Sequence, residues 1–509
     1  MFSKINTMAL VGLEANPVSV EVDIGNGLFA MNIVGLAGKS VQESKERVFS
    51  AIRNSGFEMP MKRITINLSP ADLVKNSSSY DLPIAVAILS ATDQIKVDLN
   101  SLIVWGQLSL EGKVLYSNGA LAIADATKKA GYKNILLPEI NAEEAGIVAG
   151  IKILPIGKLS DLSRFPGIGR NGKITVKPRI NFSGRSSGIK KDFDFAYVRG
   201  QTTAKRVCEI AAAGGHNLLL NGVPGAGKTY ISRCMIGILP SMEFEEMIEV
   251  TKIYSITGLL TNHGLVTIRP FRNPHHTSSH AALIGGGSIP RPGEVTLAHR
   301  GVLFLDEFNE FEARALESLR QPLEDRIVHI SRASGVMAYP ANFILVAAMN
   351  PCKCGFLGAK DKKCTCSQYD IEKYKKKISG PILDRIDLQV FINKVGKDEL
   401  LTDTLSEASE SVQRRVEAAR KLQIERYKAY KFPAMLCNAD LRHNLVKEVI
   451  RLDSKAEDLV SMIVDSMNLS ARGYYRLLKV ARTIADLEQK EVVLKDHIAE
   501  AVSYRLSEM

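Results

Sequence analysis

The sequence predicts an α/β protein centred on a parallel, doubly wound sheet, with a separate α/β or α+β domain before it and a helical domain after it. Three observations carry that reading. Residues 1–176 interleave alternating apolar segments with helical ones, residues 193–395 alternate short apolar strands with helices, and residues 396–509 keep helical periodicity with almost no strand signal. Between the first two, residues 177–192 turn to Gly, Ser, Arg and Lys, the composition of a flexible, basic linker.

Length and composition agree with several soluble domains. At 509 residues the chain exceeds one ordinary core, and 45% hydrophobic with 24% charged residues is typical of globular proteins. No apolar run reaches the ~18 residues of a membrane-spanning helix. The start, Met1 to Asn6, lacks a signal-peptide core, so a cytoplasmic location with no membrane partner is expected. A net charge of +11 suits a polyanionic partner and exceeds what a nucleotide alone requires. Seven cysteines, odd in number and unevenly placed, argue against a disulfide framework.

In the first domain, Val18–Ile24 and Arg63–Leu68 alternate as half-buried strands, and helical patterns fall at Ser40–Ser55, Leu82–Thr92 and Ala120–Ala130. In the second, the apolar Leu218-Leu219-Leu220 leads into Gly222-Val223-Pro224-Gly225-Ala226-Gly227-Lys228-Thr229, and an amphipathic segment begins at Tyr230. This is G-x-x-x-x-G-K-[ST] between a strand and a helix, a loop that cradles phosphates. Its glycines let successive N–H groups face one anion at the positive end of the helix. Lys228 is placed to reach the β/γ-phosphates of ATP or GTP, Thr229 to hold Mg²⁺, and Tyr230 to continue the nucleotide-binding segment.

A second apolar run, Val302–Leu305, delivers Asp306 and Glu307 to the carboxyl edge of the sheet. Asp306 would act on Mg²⁺ through water, and Glu307 would orient and deprotonate an attacking water. The alternative, an acidic pair that only caps the next helix, loses ground with a phosphate loop upstream. The strand Phe343–Met349 ends in Asn350, either a γ-phosphate or water ligand or a turn residue. Arg385 lies in Leu383-Asp384-Arg385-Ile386-Asp387, where it either pairs with Asp384 or Asp387 or projects into a neighbouring subunit's nucleotide.

Cys352-Lys353-Cys354 and Cys364-Thr365-Cys366 offer four soft ligands for a structural Zn²⁺ stapling a polar loop. The C-x-C spacing is tighter than the usual zinc pattern, which leaves free thiols as the competing reading. His275, His276 and His280 have no carboxylate at helical spacing, so backbone or phosphate contact is favoured over metal.

These motifs, in this order, resemble an AAA+ ATPase of the branch that includes Mg-chelatase subunits. Phe271-Arg272-Asn273-Pro274-His275-His276-Thr277, Leu283-Ile284-Gly285-Gly286-Gly287, Pro292-Gly293-Glu294-Val295 and Ala348-Met349-Asn350-Pro351-Cys352 resemble the ComM/YifB family. That resemblance implies an AAA+ core with a helical lid, a homo-hexameric ring, and ATP with Mg²⁺ at subunit interfaces. It also implies catalytic roles for Asn350 (sensor 1), Arg385 (arginine finger) and Arg472 (sensor 2), and a place near the adenine for Arg199-Gly200-Gln201. The long stretch Pro270–Arg300 becomes an insert aimed at the ring channel, and Ile327–Asn342 a hairpin, with Arg272, Arg291, Arg326 and Arg332 as candidate backbone contacts to DNA. Single-stranded or branched DNA and recombination or competence proteins are the implied partners.

The first domain resembles the S5-like fold shared with the Lon protease domain. Lys75-Asn76-Ser77-Ser78-Ser79 matches the Lon nucleophile loop with Ser79 on the serine, but the matching lysine position is Ala122. A serine without its base implies no protease activity. The ComM/YifB resemblance implies an ATP-driven DNA motor promoting branch migration or helicase action during integration of transforming DNA; the competing readings are a chelatase-type motor that remodels a protein and a nucleotide-gated DNA scaffold.

Overall fold

The computed structural model describes residues 1–73, 75, 77–96, 101–164, 193–260, 264–287, 290–332, 335–359, 361–396, 399, 404–432, 435–467 and 469–505. The linker expected over 177–192 and the side chain of Arg332 lie outside the described residues. The chain divides into two compact units. One comprises Met1–Ser183, Met247–Val266 and Ser331–Met337; the other comprises Gly184–Glu246, Thr267–Ile330 and Ala338–Met509.

In the first unit, β1 (Phe2–Val11), β2 (Glu14–Gly25), β3 (Ala30–Val34), β4 (Arg63–Ser69), β5 (Leu102–Val104), β6 (Asn134–Pro138) and β7 (Lys152–Ile156) form a seven-stranded sheet in the order β3-β4-β2-β1-β5-β6-β7. The β2–β4 register sets Val20 opposite Leu68, Val22 opposite Ile66 and Ile24 opposite Ile64. All six are buried, so the period-two alternation of both strands feeds one core face. Against that core lies helix Asp81–Ala91, buried at every residue but Ser90, as an all-round apolar helix must be. The helical stretch expected over Ser40–Ser55 is two helices, Lys39–Gln42 and Ser44–Asn54. Most of helix Phe244–Thr257 also belongs here: Lys252 pairs with Asp125 at 2.6 Å, and the Ser255 hydroxyl meets the Glu144 carboxylate.

In the second unit, β8 (Leu218–Gly222), β9 (Phe271–Arg272), β10 (Val302–Leu305), β11 (Ile344–Met349) and β12 (Leu388–Ile392) form a five-stranded sheet in the order β9-β10-β11-β8-β12, with every neighbouring pair parallel. Leu218, Leu220, Phe304, Val346 and Leu388 share one core with Ile210 of helix Thr202–Gly214 and with Leu477, Ala481 and Ile484 of helix Ala471–Leu487. Helices cover the sheet, which is why its strands read as unbroken apolar runs. Each such Leu or Phe contributes ~1.5–3 kcal/mol on burial.

The tail carries helices Ser409–Ala429, Ser454–Met467, Ala471–Leu487 and Lys495–Ser503. Helix Ala471–Leu487 starts after Ser470, whose hydroxyl caps it by accepting from the Gly473 N–H at 3.1 Å. Among the described residues, no helix is long and apolar enough to cross a membrane.

Candidate functional site

Parallel register builds the site at the carboxyl ends of β8, β10 and β11. Asn221 pairs with Met349 and Leu305 with Ala347, so Gly222, Asp306 and Asn350 emerge side by side. Gly225 and Gly227 take φ of +77° and +84°, left-handed values that favour glycine, and the helix Lys228–Cys234 begins immediately after. At Gly222 a Cβ would lie 2.2 Å from the Ile392 carbonyl oxygen, so the loop also seats against β12.

The side chains close around this loop. Lys228 Nζ donates to Asn350 Oδ1 at 3.0 Å and to the carbonyls of Gly222 at 2.6 Å and Val223 at 3.1 Å. Burial pushes the Lys228 ammonium below its usual pKa, against the pull of Asp306. Thr229 Oγ1 donates to Asp306 Oδ2 at 2.7 Å, and the Glu307 N–H donates to Asp306 Oδ1 at 3.0 Å. These two oxygens and the neighbouring backbone suit a hard cation, so Thr229 and Asp306 are the residues that fit Mg²⁺. Glu307 takes φ +52° and keeps its side chain 58% exposed, with Oε2 lying 3.1 Å from His276 Nδ1. Gln201 Nε2 donates to the Ala226 carbonyl of the loop at 3.3 Å, and the Tyr230 ring packs 5.5 Å from that of Phe193.

Arg385 and Arg472 stand elsewhere. Asn217, preceding β8, donates from Nδ2 to the Arg385 carbonyl at 2.8 Å and from its N–H to Asp387 Oδ2 at 3.2 Å. Arg385 thus sits at the amino end of the strand whose carboxyl end carries the phosphate loop, ~16 Å away at ~3.3 Å per residue. Its guanidinium is buried. It meets Glu324, rather than Asp384 or Asp387, and donates to the Pro381 carbonyl at 2.7 Å. Arg472 Nη2 reaches the other oxygen of the same Glu324 carboxylate at 2.5 Å. The two arginines hold that carboxyl below its usual range, Arg472 most strongly. Arg476, one turn on from Arg472, pairs instead with Asp387 at 3.5 Å.

The four cysteine sulfurs Cys352, Cys354, Cys364 and Cys366 lie within 4.8 Å of one another. Tetrahedral Zn²⁺ with ~2.3 Å bonds needs sulfurs ~3.8 Å apart, so the donor set fits that ion. Backbone N–H groups of Phe356 and Thr365 draw the Cys354 thiol down to about 5. Against the backbone N–H groups of Cys366 and Cys354, burial and the hydrogen bonds to Cys354 and Cys352 push the Cys364 and Cys366 thiols up, so the first proton leaves the cluster at Cys354. The loop abuts the glycine-rich loop: a Cβ at Gly355 would come 2.6 Å from Pro224 Cγ. The histidines form no comparable set. The His275 ring lies tilted by 33° against that of His276 with centroids 4.2 Å apart, and His276 faces Glu307.

Two of the arginines expected on the insertions are otherwise engaged. Arg272 makes a two-point ion pair with Glu294, at 2.6 and 2.8 Å, and Arg326 Nη1 donates to the Phe343 carbonyl at 3.0 Å. In the first unit the buried Lys75 ammonium donates to the carbonyls of Gly35 at 3.2 Å, Leu68 at 3.1 Å and Pro70, while Ser79 Oγ bonds Ser77 Oγ at 2.8 Å. Sequence reasoning missed the Glu307–His276 pair and the role of Glu324. At His276 the sequence favours backbone or phosphate contact over metal and offers no sign of a carboxylate partner, and Glu324 lies in no motif.

The family described as magnesium chelatase, subunit ChlI, matches residues 194–400; subunit ChlI of Mg-chelatase matches residues 20–141; and the C-terminal family of that subunit matches residues 406–505. Uncharacterized protein YifB of Escherichia coli is 41% identical over 508 residues, covering 99% of this chain and 97% of the relative. Competence protein ComM of Haemophilus influenzae is 38% identical over 511 residues, covering 98% and 97%. Lon protease 2 of Bacillus subtilis is 28% identical over 148 residues, covering 27% of this chain and 26% of the relative. With a parallel-sheet ATPase core between a Lon-like first domain and a helical C-terminal region, the chain belongs to the YifB/ComM family of magnesium-chelatase-like ATPases.

Proposed function

We propose that this ATPase is a ring-forming motor that acts on single-stranded or branched DNA, promoting branch migration or helicase action during integration of transforming DNA. The observation that supports hydrolysis is the cluster Lys228–Asn350 and Thr229–Asp306–Glu307 at one sheet edge. In this reading the loop N–H groups and Lys228 hold the β/γ-phosphates, Glu307 removes a proton from an in-line water, and Asn350 orients that water or the γ-phosphate. Thr229 and Asp306 would hold Mg²⁺, which would supply positive charge against the phosphates during hydrolysis.

Arg385 and Arg472 serve a neighbour's nucleotide. What supports this is their place at the far end of β8, together on one carboxylate. A ring, taken as a homo-hexamer, follows from such head-to-tail use of each subunit. Zinc on the four cysteines braces the loop beside Pro224. The DNA assignment is supported by the net charge of +11 and by the 38% identity to a protein named for competence.

Steady-state ATP turnover without DNA, with single-stranded DNA and with a four-way junction tests the proposal, with Glu307→Gln as the blank. Stimulation by DNA that disappears in Glu307→Gln is the expected result. Turnover indifferent to every DNA overturns the DNA assignment. It would favour remodelling of a protein partner, the reading to which the magnesium-chelatase family match points.

A further inference from the structure

The second unit encloses a cavity of about 690 Å³ at the sheet edge opposite the phosphate loop. Residues preceding the strands line it: Asn217 before β8, Arg300 before β10, Asn342 before β11 and Asp387 before β12. The helical tail supplies the other wall.

Its charge is strongly one-sided. Arg300, Arg326, Lys431, Arg442, Arg476 and Lys479 line the space, with Arg472 also present, against only Glu324, Asp387 and Asp440. The three carboxylates are already engaged: Glu324 by Arg385 and Arg472, Asp387 by Arg476 and the Asn217 N–H, and Asp440 by the Leu436 N–H and the Cys437 thiol. Among the described residues, Lys431 and Arg442 form no ion pair. Lys479 is only 8% exposed and donates to the Ala439 carbonyl at 3.3 Å. The Arg476 side chain is 11% exposed and its Nη1 has no hydrogen-bond partner. Burial, followed by the charges of Lys479, Arg472 and Arg476, pushes the nearby His443 below its usual pKa.

Crowding like charges into a half-enclosed space is unfavourable unless an anion enters. Phe432, Met435, Leu441 and Leu445 add an apolar wall beside the cations. The volume lies in the range of sites that enclose a small organic ligand. We propose that this cavity is a second ligand site in each protomer, separate from the phosphate loop, for a free polyphosphate-bearing molecule of nucleotide size. Arg442, Arg476 and Lys479 take its phosphates, and Phe432 and Met435 its organic part.

The test starts from Lys228→Ala, which disables the phosphate loop. Fluorescence anisotropy of a fluorescent ATP analogue reads residual binding, with ATP, inorganic tripolyphosphate and adenosine as competitors. The expected result is about one analogue per chain, displaced by ATP or tripolyphosphate and not by adenosine, because phosphate charge dominates the cavity. Equal displacement by the two assigns the site to linear polyphosphate as such; stronger displacement by ATP assigns it to a nucleotide. Adding Lys479→Gln or Arg442→Gln weakens binding by about tenfold or more, the scale of one lost charge-assisted contact. Arg442 is exposed, so its variant keeps the test open if the buried Lys479→Gln fails to fold. The proposal is overturned if Lys228→Ala binds no analogue or if Arg442→Gln binds it unchanged. It is also overturned if residual binding vanishes on dilution to the monomer, which would place the analogue between subunits.

Discussion

If Arg385 works on a neighbour's nucleotide, two inactive chains must be able to rescue each other. Arg385 and the phosphate loop occupy opposite ends of β8, ~16 Å apart, a span no arginine side chain crosses. One chain carries Lys228→Ala and keeps Arg385; the other carries Arg385→Ala and keeps Lys228. Alone, the second should lose about 10³–10⁵ in kcat, the usual worth of a trans-acting arginine, while the first should lose nucleotide binding at the loop. Co-expressed in equal amounts and purified through two different tags, they assemble at random. An interface is then active when an intact loop meets an intact arginine, which happens at about one interface in four in a closed head-to-tail ring of any size. ATP turnover of the mixture should therefore recover to about a quarter of wild type, far above either parent. A mixture no more active than its parents, with mixed assembly verified by mass, would refute the trans assignment.

Three further outcomes follow from the same geometry. Asp387→Asn leaves Arg476 buried beside Lys479 without its carboxylate and should cost about 3–5 kcal/mol in urea unfolding of the full chain. Although burial works the other way, Arg476 and then His216 hold the Asp387 carboxyl far below its usual value. The pair's stabilisation is therefore complete above the unfolded value of about pH 4 and should be lost as pH falls below it, so Asp387→Asn should lose less stability than wild type over that range. Cys364→Ser should reduce bound zinc, measured by atomic absorption, from about one per chain toward none, and should raise the KM for ATP because the cysteine loop packs on Pro224. Asn350→Ala should lower kcat by about 10²-fold while changing ATP affinity little, read by single-turnover kinetics beside equilibrium binding.

Much of the candidate nucleotide site is legible in the sequence because its chemistry is local. The glycine spacing that turns N–H groups toward an anion, the acidic pair ending an apolar strand and the Asn after another are each set by a few consecutive residues. Parallel pairing then brings the strand ends together. The two Cys-x-Cys pairs are local in the same sense, and only their convergence to within 4.8 Å needed the fold. Elsewhere the one-dimensional reading was less sharp. Arg272 looked available for a polyanion but is held by Glu294, and His276 suggested a metal question where the structure shows a partner for Glu307.

Residue type and period alone point to the strands Leu218–Gly222, Val302–Leu305 and Ile344–Met349 and to the groups at their carboxyl ends, whereas Phe271–Arg272, read as part of a long insertion, is an edge strand that only pairing with Val302–Leu303 defines. Long-range packing alone brings Arg385 and Arg472 together on Glu324 and closes the tail helices around a cationic cavity over the opposite edge. Those arrangements join residues far apart in the chain through burial and charge, and packing, rather than any local pattern, determines which buried charges meet.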